Sequence, residues 1–421
     1  MIRPTALTSL ADEAVARCVR LARLSEEAGG TCRSFLSAPM KDCHRELSEW
    51  LTAAGATVGV DAAGNLRALY AGTSSSAPGL LIGSHLDTVP NAGAYDGVLG
   101  VVLGVALLQS LDGRRLPFSI EIIGFSDEEG VRFGTPFIGS RALVGRLDDA
   151  LLSCRDATGT TVREALVAFG LRPAELPRAA LSGKVLGYLE FHIEQGPVLE
   201  SLGRPLGVVE GIAAQIRMQF EFSGRTNHAG TTPMHLRHDA VAGAAEWILA
   251  VESMARSQPG SVATVGQVEA KPGAINAISG FARVSLDLRH SSQEICASVA
   301  GELARQAEEI AGRRGLRVKR CELLRQNAVK MDAFLIHEIE AAVRKVGCEP
   351  HRMVSGAGHD AMILAEKVPS AMIFLRSPGG VSHDPAESVN VDDVTKALEC
   401  GLHLLQQLAE SSEFQGRTCR A

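Results

Sequence analysis

The sequence predicts an α/β fold: a mostly parallel mixed sheet flanked by helices, interrupted by a smaller inserted α+β domain. Three observations carry this expectation. "GLLIGSH" (79–85) and "SIEIIGF" (119–125) are near-continuous apolar runs, the pattern of strands covered on both faces, with a helical run over 97–111 between them. After residue 211 the pattern changes, and "IRMQFEFSG" and "ARVSLDLRH" alternate residue by residue, as half-exposed antiparallel strands do. The strand–helix rhythm then resumes after about residue 328. Residues 1–212 and 328–421 therefore read as two parts of one domain, with 213–327 inserted between them and hinges near 211–213 and 326–329.

The elements follow in order. Two helices fill 10–56, the second, "CHRELSEWLTAAG", ending at a glycine cap. Short strands at 57–60 and 66–70 are divided by the turn "DAAGN". The inserted domain holds helices over 239–256 and 291–314 and a further strand in "GLRVKRCEL". The closing part has a helix over 332–346, the buried strand "PSAMIFL" and a last helix over 391–410.

Composition excludes several functions. The net charge is −6 and no cluster of Lys or Arg stands out, which argues against a nucleic-acid partner. The longest apolar run, "GVLGVVLGVALL" (97–108), is too short to cross a bilayer. The N-terminus spreads acids and arginines at helical spacing, unlike a secretory or transit segment. Nine scattered cysteines without a C-x-x-C pair read as reduced thiols, and the expected compartment is the cytoplasm.

Chemistry concentrates at the predicted strand ends, where ligands of open α/β sheets bind. In "SHLDTV", His85 and Asp87 are two apart and share a strand face; a carboxylate beside an imidazole can fix the orientation of a metal-ligating histidine. Asp96, in "YDGVLG", reads either as a ligand or as a plain helix N-cap. "FSDEEG" sets Asp127, Glu128 and Glu129 together, where mutual repulsion calls for a cation or protons, unless the turn is merely solvated. "YLEFHIEQG" adds His192 and Gln195, and "GGVSHDPAESV" adds His383. Three imidazoles with carboxylates suit zinc, or manganese where carboxylates dominate. Five ligands exceed one tetrahedral site and point to two ions sharing a carboxylate, with Asp96 the natural bridge.

"GSHLDTVPNAGAYDGVLG", "FSDEEGVRFGTPFIGSRAL", "FHIEQGPVLE", "GRTNHAGTTPM" and "GVSHDPAESV" resemble the dinuclear metallo-amidohydrolases that share a fold with aminoacylase and carboxypeptidase G. The similarity is to the branch of allantoate amidohydrolase, N-carbamoyl-L-amino-acid hydrolase and β-ureidopropionase, and it runs in order from about residue 20 to the end. It implies that His85 and His192 hold one ion, Glu129 and His383 the other, with Asp96 bridging, Glu128 as general base and Asp87 behind His85. It also implies that His228 of "TNHAG" stabilises the oxyanion and that Gln195, Asn276 and Arg289 bind substrate. The inserted domain becomes a lid and dimerisation module, so that the chain works as a homodimer.

The implied reaction is hydrolysis of a ureido C–N bond in a small carboxylate, with allantoate first and N-carbamoyl-L-amino acids or N-carbamoyl-β-alanine as the alternative. An aminoacylase or peptidase, or a non-catalytic binding protein on the same fold, are the rival readings. The complete ligand set together with Glu128 opposes the last of these. The Gly-rich "SGAGHDA" (355–361) reads equally as an anion-receiving helix start or a tight turn, so His359 and Asp360 stay outside the expected site. A nucleotide-dependent enzyme is disfavoured, because no strand-to-helix turn carries G-x-G-x-x-G or a Walker-type lysine loop.

Overall fold

The computed structural model describes residues 4–417, 419 and 420. The chain divides into two compact units: Met1–Glu210 with Lys330–Met353 and Gly358–Ala421, and Gly211–Val329 with Val354–Ala357. The short return of residues 354–357 to the second unit has no mark in the residue pattern. It is held there by the Ala213 N–H, which donates to the Ser355 carbonyl at 2.9 Å, and by Arg289, which donates to the Gly356 carbonyl at 2.6 Å.

In chain order, the principal elements begin with helices α1 (Pro4–Ala22) and α2 (Ala38–Ala53) and strands β1 (Thr57–Val60), β2 (Leu66–Tyr70) and β3 (Gly79–His85). Helix α3 (Val98–Leu111) and strands β4 (Ser119–Phe125), β5 (Lys184–Ile193), β6 (Leu206–Ile212) and β7 (Ala214–Ser223) follow. Then come α4 (Ala240–Ser257), β8 (Phe281–His290), α5 (Gln293–Arg313), β9 (Arg317–Gln326), α6 (Ala333–Lys345), β10 (Ser370–Leu375) and α7 (Val391–Glu410). Short helices at Ile138–Leu143, Asp149–Leu152 and Val162–Phe169 are absent from the sequence-based expectation. None is long enough to display a helical period.

The first unit is built on a mixed sheet whose centre runs β4, β3, β5, β10. These four strands are mutually parallel, with antiparallel neighbours β2 and β6 outside them. Parallel pairing puts all four carboxyl ends on one edge. Register sets His85 opposite Phe125 and His192 opposite Phe374, so both histidines and the acidic segment after β4 emerge there together. Helix α3 is apolar all round and buried except at Gln109, as a helix covered on every side must be.

The second unit is a five-stranded antiparallel sheet, Val268–Lys271, β8, β7, β9, with Val262–Thr264 also paired to β8. Along β8, Ala282, Val284, Leu286 and Leu288 point into the core while Arg283, Asp287 and Arg289 take the other face. Helices α4 and α5 supply the rest of that core. Trp247 packs 4.3 Å from Phe220 and donates its indole N–H to the Leu303 carbonyl at 2.8 Å. Among the described residues, no helix is long and apolar enough to cross a membrane.

Candidate metal centre and active site

The parallel sheet edge gathers the ligand-type side chains. His85 ends β3, His192 is the last residue but one of β5, and both are almost fully buried. Each ring places Nδ1 2.9 Å from a backbone carbonyl, that of Asp87 for His85 and of Ile193 for His192. A carbonyl only accepts, so Nδ1 carries the proton and the Nε2 lone pair is left facing inward. The two Nε2 atoms lie 3.4 Å apart and flank Asp96 Oδ1, at 3.7 Å from His85 and 3.2 Å from His192. Asp96 Oδ2 meets His383 Nε2 at 3.0 Å, and His383 in turn lies 3.5 Å from Glu129 Oε1.

Three ligand groups result, each with donor atoms within 4.8 Å of one another: His85, Asp96 and His192; His85, Glu128 and Glu129; Asp96, Glu129 and His383. Asp96 belongs to two of them, one oxygen toward each. No N-cap bond from its side chain is formed on α3, whose cap is Gly97. Gly97 itself is required by space, since a Cβ there would sit 2.4 Å from the His85 ring, and its φ of 66° is in the left-handed region.

The three adjacent acids are sorted by direction. Asp127 turns inward, accepting the Ile138 N–H at 3.3 Å, while Glu128 and Glu129 face the histidines. Asp87 fixes this segment: its two carboxylate oxygens accept the Glu128 and Glu129 backbone N–H groups at 2.9 and 3.1 Å. The same carboxylate lies 3.5 Å from His85 Nδ1. Gln195, at a φ of 59°, donates from Nε2 to Asp96 Oδ2 at 3.0 Å.

The electrostatics express an excess of buried charge. Burial acts against charge on Asp96, yet the adjacent imidazoles of His192, His383 and His85 outweigh it and hold this carboxyl well below the usual range. Burial, reinforced by Glu129, Asp360 and Asp87, pushes Glu128 well above the ordinary carboxyl value against the pull of His85. Glu129 is pushed up to about 7, again by burial first. Burial opposes protonation of His85, but the neighbouring carboxylates of Asp87 and Asp96 prevail and raise it well above the ordinary imidazole value. Protons on these groups and divalent cations are thus alternative ways of balancing the buried carboxylates.

The donor set fits divalent metal. All donors are imidazole nitrogens or carboxylate oxygens, the tautomers aim lone pairs inward, and buried Asp96 Oδ1 has no hydrogen-bond partner.

A scan against protein-family models matches residues 81–407 to peptidase family M20/M25/M40. The chain belongs to this family. It is therefore a hydrolase, and the metal-binding fit of the cluster agrees with that membership. Among curated proteins it is 41% identical over 388 residues to an N-carbamoyl-L-amino acid amidohydrolase of Geobacillus stearothermophilus, covering 91% of this chain and 95% of that one. It is 37% identical to allantoate deiminase of Arabidopsis thaliana, covering 95% and 82%. Among solved structures, an amidase of the hydantoinase/carbamoylase family from Burkholderia multivorans superposes with a TM-score of 0.89 at 30% identity, covering 94% and 97%.

The remaining expected residues lie in the second unit. His228 is exposed on a two-residue ladder, Asn227–His228 against Ala277–Ile278. Its Nδ1 accepts the N–H groups of Gly230 and Thr231 at 3.1 and 3.2 Å, so its proton sits on Nε2, facing out as a donor. Asn276 is exposed beside it, and its carbonyl accepts the Ala229 N–H at 3.0 Å. Arg289 is clamped onto Asp287 through Nε (2.8 Å) and Nη2 (3.0 Å) and lines a cavity of about 540 Å³ with Val262, Asp287 and Gly356.

Several polar residues outside the expected set are built into the centre. Glu387 and Ser382 contact the Asp96 loop. Glu190 accepts the Ser84 hydroxyl at 3.1 Å and the Ala361 N–H at 2.9 Å. The buried His359 ring packs 4.5 Å from His192. Glu190 had a readable signal, an acid two residues before His192 in a strand otherwise apolar. Glu387 had none, since an acid in a polar loop reads as solvated.

Proposed function

We propose that this chain hydrolyses the ureido C–N bond of a small carboxylate, allantoate first, using two divalent ions, zinc or manganese. The enzyme class, a hydrolase of linear C–N bonds outside peptides, stands on the family and on relatives named as amidohydrolases. The observation that supports the paired-ion reading best is Asp96, whose two oxygens each face a separate ligand group.

His85, His192 and Asp96 would hold one ion, and Asp96, Glu129 and His383 the other. When bound, the ions supply Lewis acidity, which acidifies water and polarises the substrate carbonyl. Glu128, buried and biased toward holding a proton, takes one from the attacking water and returns it to the departing nitrogen. Asp87 keeps His85 and the Glu128–Glu129 backbone in place. His228 Nε2–H donates to the oxygen that gains charge. Arg289 spends three of its five N–H groups on Asp287 and Gly356, leaving two for a substrate carboxylate beside Asn276. Gln195 reads the ureido group. The terminal nitrogen leaves as ammonia, and the carbamate left behind decomposes to an amine and carbon dioxide; with allantoate that amine still carries its second ureido group.

N-carbamoyl-L-amino acids are a second reading, favoured by the 41% identity to the Geobacillus amidohydrolase. We further propose that the second unit acts as lid and dimerisation module and that the enzyme works in the cytoplasm. The deciding experiment measures ammonia release from allantoate, N-carbamoyl-L-amino acids, N-carbamoyl-β-alanine and N-acyl-amino acids after loading with zinc or manganese. Turnover of allantoate above the others is expected. Hydrolysis confined to acyl-amino acids overturns the ureide reading.

A further inference from the structure

Glu387 lies four residues after His383 and 291 residues from Asp96, and it is 5% exposed. Its Oε1 accepts two backbone N–H groups, Tyr95 at 2.8 Å and Asp96 at 3.0 Å. Its Oε2 accepts the Ser382 hydroxyl at 3.2 Å, and Ser382 Oγ is also 3.2 Å from Asp96 Oδ2. One buried carboxylate therefore ties the loop carrying Asp96 to the loop carrying His383. The fit is close from the other side too, since a Cβ on Gly93 would fall 2.4 Å from Glu387 Cβ and 2.5 Å from its Oε1.

The two ligand groups that share Asp96 differ in how much they need this tie. His85 and His192 stand on adjacent members of the buried sheet, each ring fixed by its own carbonyl. His383 stands in a loop, with its side chain 48% exposed and its backbone at a φ of 57°. Such a conformation persists only where the surroundings hold it.

We infer that Glu387 is a positioning residue that holds the His383 loop against Asp96 and thereby sets affinity for the second ion, the one assigned to Asp96, Glu129 and His383. This inference rests on the paired-ion reading above. Partners that orient metal ligands typically contribute about 10–100-fold in affinity. Glu387→Gln keeps the shape and one acceptor while removing the charge. Gly93→Ala leaves Glu387 intact but displaces it.

The test is stepwise titration of the stripped full-length chain with cobalt(II), followed by visible absorption and by competition with a chelator. Folding of each variant is checked by thermal melting. Wild type is expected to take up two ions. In both variants the first ion should bind as in wild type and the second should weaken by about 10–100-fold. Glu387→Asp, which restores the carboxylate on a shorter stem, should recover part of that loss. Equal weakening of both ions, or undiminished binding of the second in Glu387→Gln, overturns the inference alone. A wild-type chain that takes up a single ion overturns the paired-ion reading, and this inference with it.

Discussion

Glu128 combines burial, a bias toward the protonated form and a place in a ligand group with His85 and Glu129. Glu128→Gln removes the proton acceptor without removing either ligand set that shares Asp96. Turnover should fall by about 10²–10⁴-fold while metal content measured by elemental analysis stays at the wild-type level. Surviving activity would exclude Glu128 as the base. Arg289→Ala should act differently, raising KM for carboxylate substrates more than it lowers kcat, as steady-state kinetics would show. At this scale the sequence displayed residues whose type is itself informative: histidines and clustered acids at the ends of apolar strands. It concealed Glu387 and Ser382, because their importance comes from burial against a loop some 290 residues away, and no local pattern encodes that.

At the scale of elements, the arrangement depends on how the His85 strand is terminated. Arg33 is fully buried and has no carboxylate partner among the described residues; it donates to the carbonyls of Leu86 at 2.7 Å, Leu21 at 2.9 Å and Leu24 at 3.2 Å. Its backbone also pairs with Thr88: the Arg33 N–H donates to Thr88 Oγ1 at 2.9 Å, and the Thr88 N–H to the Arg33 carbonyl at 3.0 Å. The guanidinium thus joins the end of α1 to the segment just past β3. Arg33→Met would leave these carbonyls unpaired, and urea unfolding should show a loss of about 3 kcal/mol. A variant as stable as wild type would mean that the carbonyls find other partners. The long elements were legible because apolar periodicity is their cause: α3, α4, α5, α6 and α7 fall within a residue or two of the expected spans. The short helices between β4 and β5 were not, since tertiary packing around Phe133, Ile138 and Leu166 holds them.

For the whole molecule, the charge held in the centre makes stability depend on pH and on metal in opposite senses. Glu129 is raised to about 7, so the stability its protonated form contributes is full below its ordinary value and is lost as pH climbs through about 7. Glu128 has the same sign, as do His85, His192 and His383, each raised above its ordinary value, so that their contributions too are lost as pH rises. Asp96, depressed, contributes above its ordinary value and loses that contribution only in acid. The stripped protein should therefore melt at lower temperature at about pH 8 than at about pH 5, whereas ions, which need deprotonated ligands, should stabilise it increasingly over that range. Melting curves of both forms check this; a gap between them that does not widen with pH contradicts the assignment of these groups as ligands.

The placement of β5 between β3 and β10 also bears on how the polypeptide is made. On the ribosome, the strand bearing His192 has one neighbour ready long before the other, because β10 begins only at Ser370. At the usual pace of translation the gap lasts on the order of ten to thirty seconds. Throughout it, an apolar strand offers an unpaired edge to any other nascent chain. Fast overexpression should consequently yield inclusion bodies that slower synthesis or extra chaperone relieves.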